Sequence, residues 1–372
     1  MIESSTDNTQ LKAKIIALYL PQYHPIPEND EWWGKGFTEW INVAKAKPLF
    51  YKHEQPIIPG ELGFYDLRVP EVRKAQTELA SQYGVDAFCY WHYWFGNGKR
   101  LLEKPFNEVL KSGEPDFPFC LAWANHTWYK KEWGGKGENK LLIEQLYPGI
   151  EDYKLHFYTL LEAFKDKRYL RIDNKIYFMI YGPLEGPEIK NFINIWRQLA
   201  KENNLNDFFF VGRTADNRKK TEILSQGFDA IYNDDVFNIH HELPLYLKLM
   251  YWVSRNVFSM PTVFSYHKAI KYMVGEKDKP NDSIPVIAPN WDHSARSKGK
   301  AIILNKTKPE LFKELVISAL KIVSKKPIEN QIIIIKSWNE WGEGNYLEPD
   351  FKNGRTFLEA LKSGIDNFYK GK

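Results

Sequence analysis

From residue 14 to the end of the chain, short apolar runs alternate with longer amphipathic stretches. The runs at 14–20, 85–90, 117–122, 175–181, 208–211, 228–232, 284–288 and 331–337 are too short for buried helices and read as strands. Between them, apolar residues recur at helical spacing. Val72, Ala75, Leu79 and Ala80 mark a helix over about 70–83 with Pro70 in its first turn, and similar patterns predict helices over 101–110, 151–166, 187–202, 219–226, 309–324 and 355–369. In the last strand four isoleucines, Ile332 to Ile335, follow one another, the mark of a strand buried on both faces as in a parallel sheet.

Eight strands alternating with helices predict an α/β chain folded as a (β/α)8 TIM barrel with long decorated βα loops. Residues 1–12 are polar and read as a disordered tail, leaving 13–372 as one catalytic domain. The stretch between strand one and the first helix, down to about residue 67, is too long and aromatic for a plain connector and reads as a functional loop over a site. A helical, aromatic insertion is expected near 239–282. A doubly wound open sheet is the competing fold, but no Gly-x-Gly-x-x-Gly follows strand one.

The polar pattern is lopsided. Trp, His, Asn, Asp, Arg and Glu gather just after the strands, whereas Lys, Gly and short turns precede them. In a barrel the segments after the strands form the active-site rim. Strand one runs out into Gln22, Tyr23 and His24; strand two into Trp91, His92 and Trp94; strand three into Trp123, Asn125, His126 and Trp128. Tyr181, Arg213, Tyr232 and Asp234 stand at the next exits, Asn290 and Trp291 follow strand seven, and Trp338, Asn339, Glu340, Trp341 and Glu343 follow strand eight. Flat rings with polar neighbours suit pyranose faces and hydroxyls, so these residues are candidate sugar contacts. Glu39 is a candidate third carboxylate or an ion-pair anchor for the long loop.

Glu340 and Glu343 carry the chemistry in this reading. Glycosidic chemistry needs one carboxyl to exchange a proton with the bridging oxygen and a second group at the anomeric centre. Two glutamates three apart in a loop interrupted by Gly342 can face one cavity. Neighbouring indoles can keep one of them protonated near neutrality.

Composition narrows the alternatives. The chain has 13 Trp, 21 Tyr and 23 Phe, which fits a glycan cleft. Its net charge of +4 has both signs mixed, giving no nucleic-acid surface. Cys89 and Cys120 lie in apolar runs and read as buried reduced thiols, consistent with a cytoplasmic location. No apolar run is long enough for a transmembrane segment. His240-His241-Glu242, Asp234-Asp235 and Asp292-His293 lack metal-ligand spacing, and no nucleotide fingerprint occurs, so neither metal nor cofactor is expected.

Five motifs, in order, resemble one family: Ile16 to Pro25, Gly36 to Trp40, Phe88 to Trp94, Trp123 to His126, and Trp338 to Gly344. They are similar to the WbsX group, glycoside hydrolase family 99-like proteins often encoded with bacterial surface-polysaccharide genes and commonly labelled glycosyltransferases. Family 99 enzymes are retaining, metal-independent endo-α-mannosidases and mannanases on a (β/α)8 barrel, with catalytic carboxylates in an Asn-Glu-Trp-x-Glu-Gly motif. The resemblance implies that Glu340 deprotonates a substrate 2-hydroxyl to give a 1,2-anhydro sugar, while Glu343 acts as acid and then base. The expected partner is an oligosaccharide or polysaccharide, and the expected reaction is cleavage or transfer of α-linked, manno-configured glycosides, linked to lipopolysaccharide or capsule metabolism. The rival readings are a nucleotide-sugar-dependent glycosyltransferase and a non-catalytic glycan-binding barrel.

Overall fold

Eight strand positions form a parallel ring in the computed structural model, which describes residues 12–130, 140–234 and 245–371. The strands are β1 (Lys14–Tyr19), β2 (Ala87–Trp94), β3 (Phe119–Trp123), β4 (Lys175–Ile180), β5 (Phe208–Thr214), β6 (Ala230–Asn233), β7 (in two pieces, Ser283–Ile284 and Val286–Ile287) and β8 (Ile332–Ile335). Each pairs with its neighbour in chain order, and β1 pairs with β8, Lys14 opposite Ile332 and Ala17 opposite Ile335. The fold is the expected TIM barrel; a ring in which β1 meets β8 is not a doubly wound sheet.

Strand seven departs from expectation. It is broken at Pro285, which has no amide hydrogen to give a ladder. Its first piece pairs with β6 and its second with β8, so the ring passes through the break. The Pro285 carbonyl still accepts from Ile334 N–H at 3.0 Å. All four isoleucines of β8 are buried, as their run implies.

Helices pack outside the ring, including Pro70–Gln82, Lys104–Ser112, Ile150–Lys165, Ile189–Glu202, Lys220–Ser225, Pro309–Val323 and Thr356–Lys370. The second of these starts later than expected because Arg100–Leu101 folds back as a short strand on β2. β2 itself runs four residues past the expected end at Tyr90. Successive residues of a strand face opposite sides. Cys89, Trp91 and Tyr93 therefore face the barrel axis and its mouth, while Tyr90, His92 and Trp94 face the helices. Cys89 and Cys120 are free, buried and opposite one another on β2 and β3.

The long first loop forms two short helices, Pro27–Trp33 and Glu39–Lys45, laid over the strand exits. The insertion is mostly helical in its described residues, as expected, and also carries a strand. It holds helices Leu245–Asn256 and Tyr266–Met273, but Thr262–Ser265 is a strand pairing in parallel with Ile302–Asn305. That segment, Thr-Val-Phe-Ser, is β-branched and aromatic after Pro261, a strand composition. The expected tail up to residue 11, the Gly-rich stretch 131–139, and Asp235 with His240, His241 and Glu242 lie outside the described residues.

Candidate active site

The site grows from the end of β8. After Lys336 and Ser337, Asn339–Glu340 pairs antiparallel with Asn345–Tyr346, and Trp341–Glu343 makes one tight turn between them. Asn339 holds this hairpin to strand one. Its Oδ1 accepts from Leu20 N–H at 2.7 Å, and its Nδ2 donates to the Leu20 carbonyl at 3.0 Å. Tyr23 completes the clasp: its hydroxyl donates to the Asn339 carbonyl at 2.6 Å and accepts from Trp341 N–H at 3.0 Å. Asn339→Ala leaves two buried backbone groups of Leu20 without these partners. We expect a loss of about 2–4 kcal/mol, read as a shifted urea midpoint.

The two glycines of the turn are dictated by space. Gly344 has φ 54°, and a Cβ there would lie 2.7 Å from Asp292 atoms. A Cβ on Gly342 would lie 2.2 Å from a Glu39 carboxylate oxygen and 2.9 Å from Arg296 Nε. Asp292, bonded to His53 at 2.8 Å and Gln55 at 2.7 Å, donates its own N–H to the Glu343 carbonyl at 2.9 Å. The loop after β7 thus fixes the turn that carries Glu343.

Three carboxylates meet on one guanidinium. Arg296 donates to Glu343 Oε1 at 2.8 Å through one terminal nitrogen and to Glu340 Oε1 at 2.7 Å through the other, and its Nε lies 3.1 Å from Glu39 Oε2. Glu39 is therefore both a cleft carboxylate and the anchor of its helix. Burial, with the charges of Glu343 and Glu39, outweighs Arg296 and raises Glu340 to about 8. Burial would raise Glu343 too, but Arg296, His293 and Lys336 outweigh it and hold Glu343 below the ordinary carboxylate range. Near neutrality Glu340 carries the pair's proton and Glu343 the charge. Behind them Lys336 is fastened by Asp234, both contacts at 2.7 Å. Burial works against the charge of Asp234, yet Lys336 and Arg213 hold its pKa at about 2.

Around these groups lies a cleft of ≈ 790 Å³ at the carboxyl ends of the strands. Of the expected residues, Gln22, Glu39, Trp91, His126, Trp128, Tyr181, Glu340 and Glu343 line it. Trp91 and Tyr181 meet edge to face at 5.6 Å, as do Tyr93 and Trp128 at 5.0 Å, and Trp33 stacks on Phe37 at 5.6 Å. Gln22 donates to the Tyr93 hydroxyl at 3.2 Å. These rings and amides form a wall able to stack on and hydrogen-bond a sugar.

The remaining expected residues are not on the wall. His92 and Trp94 point into the helix layer, where His92 Nε2 lies 2.8 Å from His156 Nε2 and Trp94 donates to Asp152 at 3.0 Å. Burial depresses both histidines, so the pair is neutral. Trp123 packs on Phe192 and donates to the Trp94 carbonyl. Asn125 is tied to Gly182 in both directions, at 2.7 and 2.9 Å. His24 bonds the Pro21 carbonyl, Asn290 accepts from Tyr346 N–H, and Tyr232 is buried beside Arg213 and Asp234. Trp291 and Trp338 are fully buried, and Trp341 stacks on Tyr346 at 3.9 Å while donating to Glu348. Arg213 spans Asp234 and the Tyr181 face.

Arg296, Lys336, Tyr93 and Glu348 were not singled out from the sequence. Tyr93 was legible from strand parity once β2 is extended. Arg296, in Ser294-Ala-Arg-Ser297, has the look of an ordinary surface cation. Among the described residues, no three His, Cys, Asp or Glu side chains converge as a metal would need.

Residues 15–361 match the family described as Glycosyltransferase WbsX. Two curated relatives, both named uncharacterized protein WxcX and both from Xanthomonas campestris pv. campestris strains, are 34% and 33% identical over 357 residues. The match covers 95% of this chain and 50% of theirs, so the chain spans about half their length. Among solved structures, a glycoside hydrolase-like protein superposes with a TM-score of 0.58 at 15% identity, covering 95% of this chain and 94% of that one. A GH99 endo-alpha-mannosidase from Bacteroides thetaiotaomicron, complexed with bis-tris-propane, gives 0.56 at 15% identity, covering 97% and 98%. At that identity the likeness is one of fold.

Proposed function

The chain belongs to the Glycosyltransferase WbsX family, and on that premise we propose that it is a carbohydrate-active enzyme working on α-linked glycosides with net retention. The observation that carries this reading is the Glu340–Glu343 pair, one member protonated and one ionised, on the floor of an aromatic-walled cleft. In this reading Glu340 takes the proton of the substrate's 2-hydroxyl. That oxygen attacks the anomeric carbon, and the leaving oxygen receives its proton from Glu343. Glu343 then deprotonates water or an acceptor hydroxyl, which opens the anhydro sugar, and Glu340 returns its proton to the 2-hydroxyl.

These roles start with the proton on Glu343, whereas the free site holds it on Glu340. A glycan that draws Arg296 away from Glu343 removes the foremost of the charges holding Glu343 down. The proton then crosses within the pair. Binding and activation are coupled through Arg296. Incubation with defined α-mannosides and with the producing cell's own polysaccharide tests the reading: cleavage or transfer is expected, and inertness toward all of them counts against it.

The family description favours a second reading, transfer from a nucleotide sugar. Calorimetry separates the two, since tight binding of a sugar nucleotide with no action on free oligosaccharides supports the second.

A further inference from the structure

We propose that helix Leu245–Asn256 and the turn after it form a docking surface for an anionic lipid bilayer. Amphipathic helices ordinarily bury their apolar stripe. This one presents it outward. Leu245, Leu249 and Trp252, at spacings of i, i+4 and i+7, are 82%, 61% and 59% exposed. The following turn adds Val257, Phe258 and Met260, all exposed. The inner side is fastened through Tyr251, whose ring meets Phe264 at 5.2 Å and whose hydroxyl donates to the Val263 carbonyl at 3.3 Å. The orientation is therefore fixed by packing, not left to a free helix.

Charge selects the occupant. From Leu243 to Gly275 the sequence contains no Asp or Glu, while Lys248, Arg255, Lys268 and Lys271 are all basic. On the helix Lys248 and Arg255, about two turns apart, lie along the same flank of the apolar stripe, where they can reach headgroup phosphates as the rings enter the acyl boundary. The helix has 12 residues, and no helix of the described residues is long and apolar enough to cross a membrane, so the surface lies on the bilayer instead of spanning it. Arg255 also lines the cleft, placing the cleft mouth beside the docked face.

Co-sedimentation of the full chain with vesicles of phosphatidylglycerol and phosphatidylcholine, against phosphatidylcholine alone, tests this. The wild-type chain is expected to pellet with the anionic vesicles and to be released by high salt. Leu249→Glu with Trp252→Glu should weaken partition at least tenfold with an unchanged circular dichroism spectrum. Lys248→Glu with Arg255→Glu should abolish only the preference for anionic lipid. The proposal is overturned if the wild-type chain stays in solution with both vesicles, or binds both equally. It is also overturned if light scattering shows a dimer that Leu249→Glu with Trp252→Glu dissociates while vesicles capture neither form. The test needs no substrate, so its outcome is independent of the proposed reaction.

Discussion

Glu343→Gln is expected to remove turnover by a factor of about 10³–10⁵, with Glu340→Gln costing a similar factor. Each glutamine keeps the shape of the side chain and its contact distance to Arg296 but can neither give nor take a proton. The double variant should be scarcely slower than either single one, because the two groups act on one proton. The pH profile follows from the same pair. Activity needs one proton on it, so kcat/KM should fall as pH rises past about 8, where Glu340 loses its own. Single variants that retain full turnover would remove both glutamates from the chemistry, and a wild-type chain that turns over no glycan would leave a glycan-binding barrel.

Arg296→Met is expected to destabilise the fold by about 3–5 kcal/mol at pH 8, and by less at pH 5. The guanidinium is the common partner of Glu39, Glu340 and Glu343. Without it the cleft floor holds buried carboxylates with no shared cation, and Glu340 and Glu343 must take up protons to fold. A carboxylate whose folded pKa lies above its unfolded value contributes stability below the unfolded value and loses it as pH rises through the folded one. Glu340 already behaves so in the wild-type chain, over a window from its ordinary range near 4.5 up to about 8. The variant adds Glu343, now held down by Arg296, to that class. Urea denaturation at the two pH values measures the difference, and an equal penalty at both would mean that Arg296 acts by packing alone.

The ring was legible because its strands are short, apolar and punctuated by Pro or Gly, and because polar residues accumulate after them. Ile332 to Ile335 gave the eighth strand and, with it, the position of Glu340 and Glu343. Parity was not legible at the strand ends. With β2 ended at Tyr90, Trp91 to Trp94 read as one loop facing one cavity; as a strand it divides, Trp91 and Tyr93 toward the mouth and His92 and Trp94 toward His156 and Asp152. The same division sends Trp123 outward. Asn339, Tyr23 and Trp341 sit in the motif yet act on backbone and Glu348, since a hairpin that must hold two glutamates needs its own clasp.

Arg296 was hidden for a different reason. Arg296 and its partners come from three separate segments, Glu39 from the first loop, Arg296 from the loop after β7, and Glu340 and Glu343 from the last, and no local pattern announces such a meeting. The exposed face of Leu245–Asn256 was hidden likewise, because an apolar stripe at helical spacing says which residues share a face but not which way that face turns.

Proton NMR of the first-formed anomer during turnover of an α-mannoside tests the central claim most directly. Two displacements through the 2-hydroxyl, with Glu340 and Glu343 exchanging their proton, predict an α product before mutarotation. A β product formed first would contradict the anhydro-sugar route and the roles given to both glutamates.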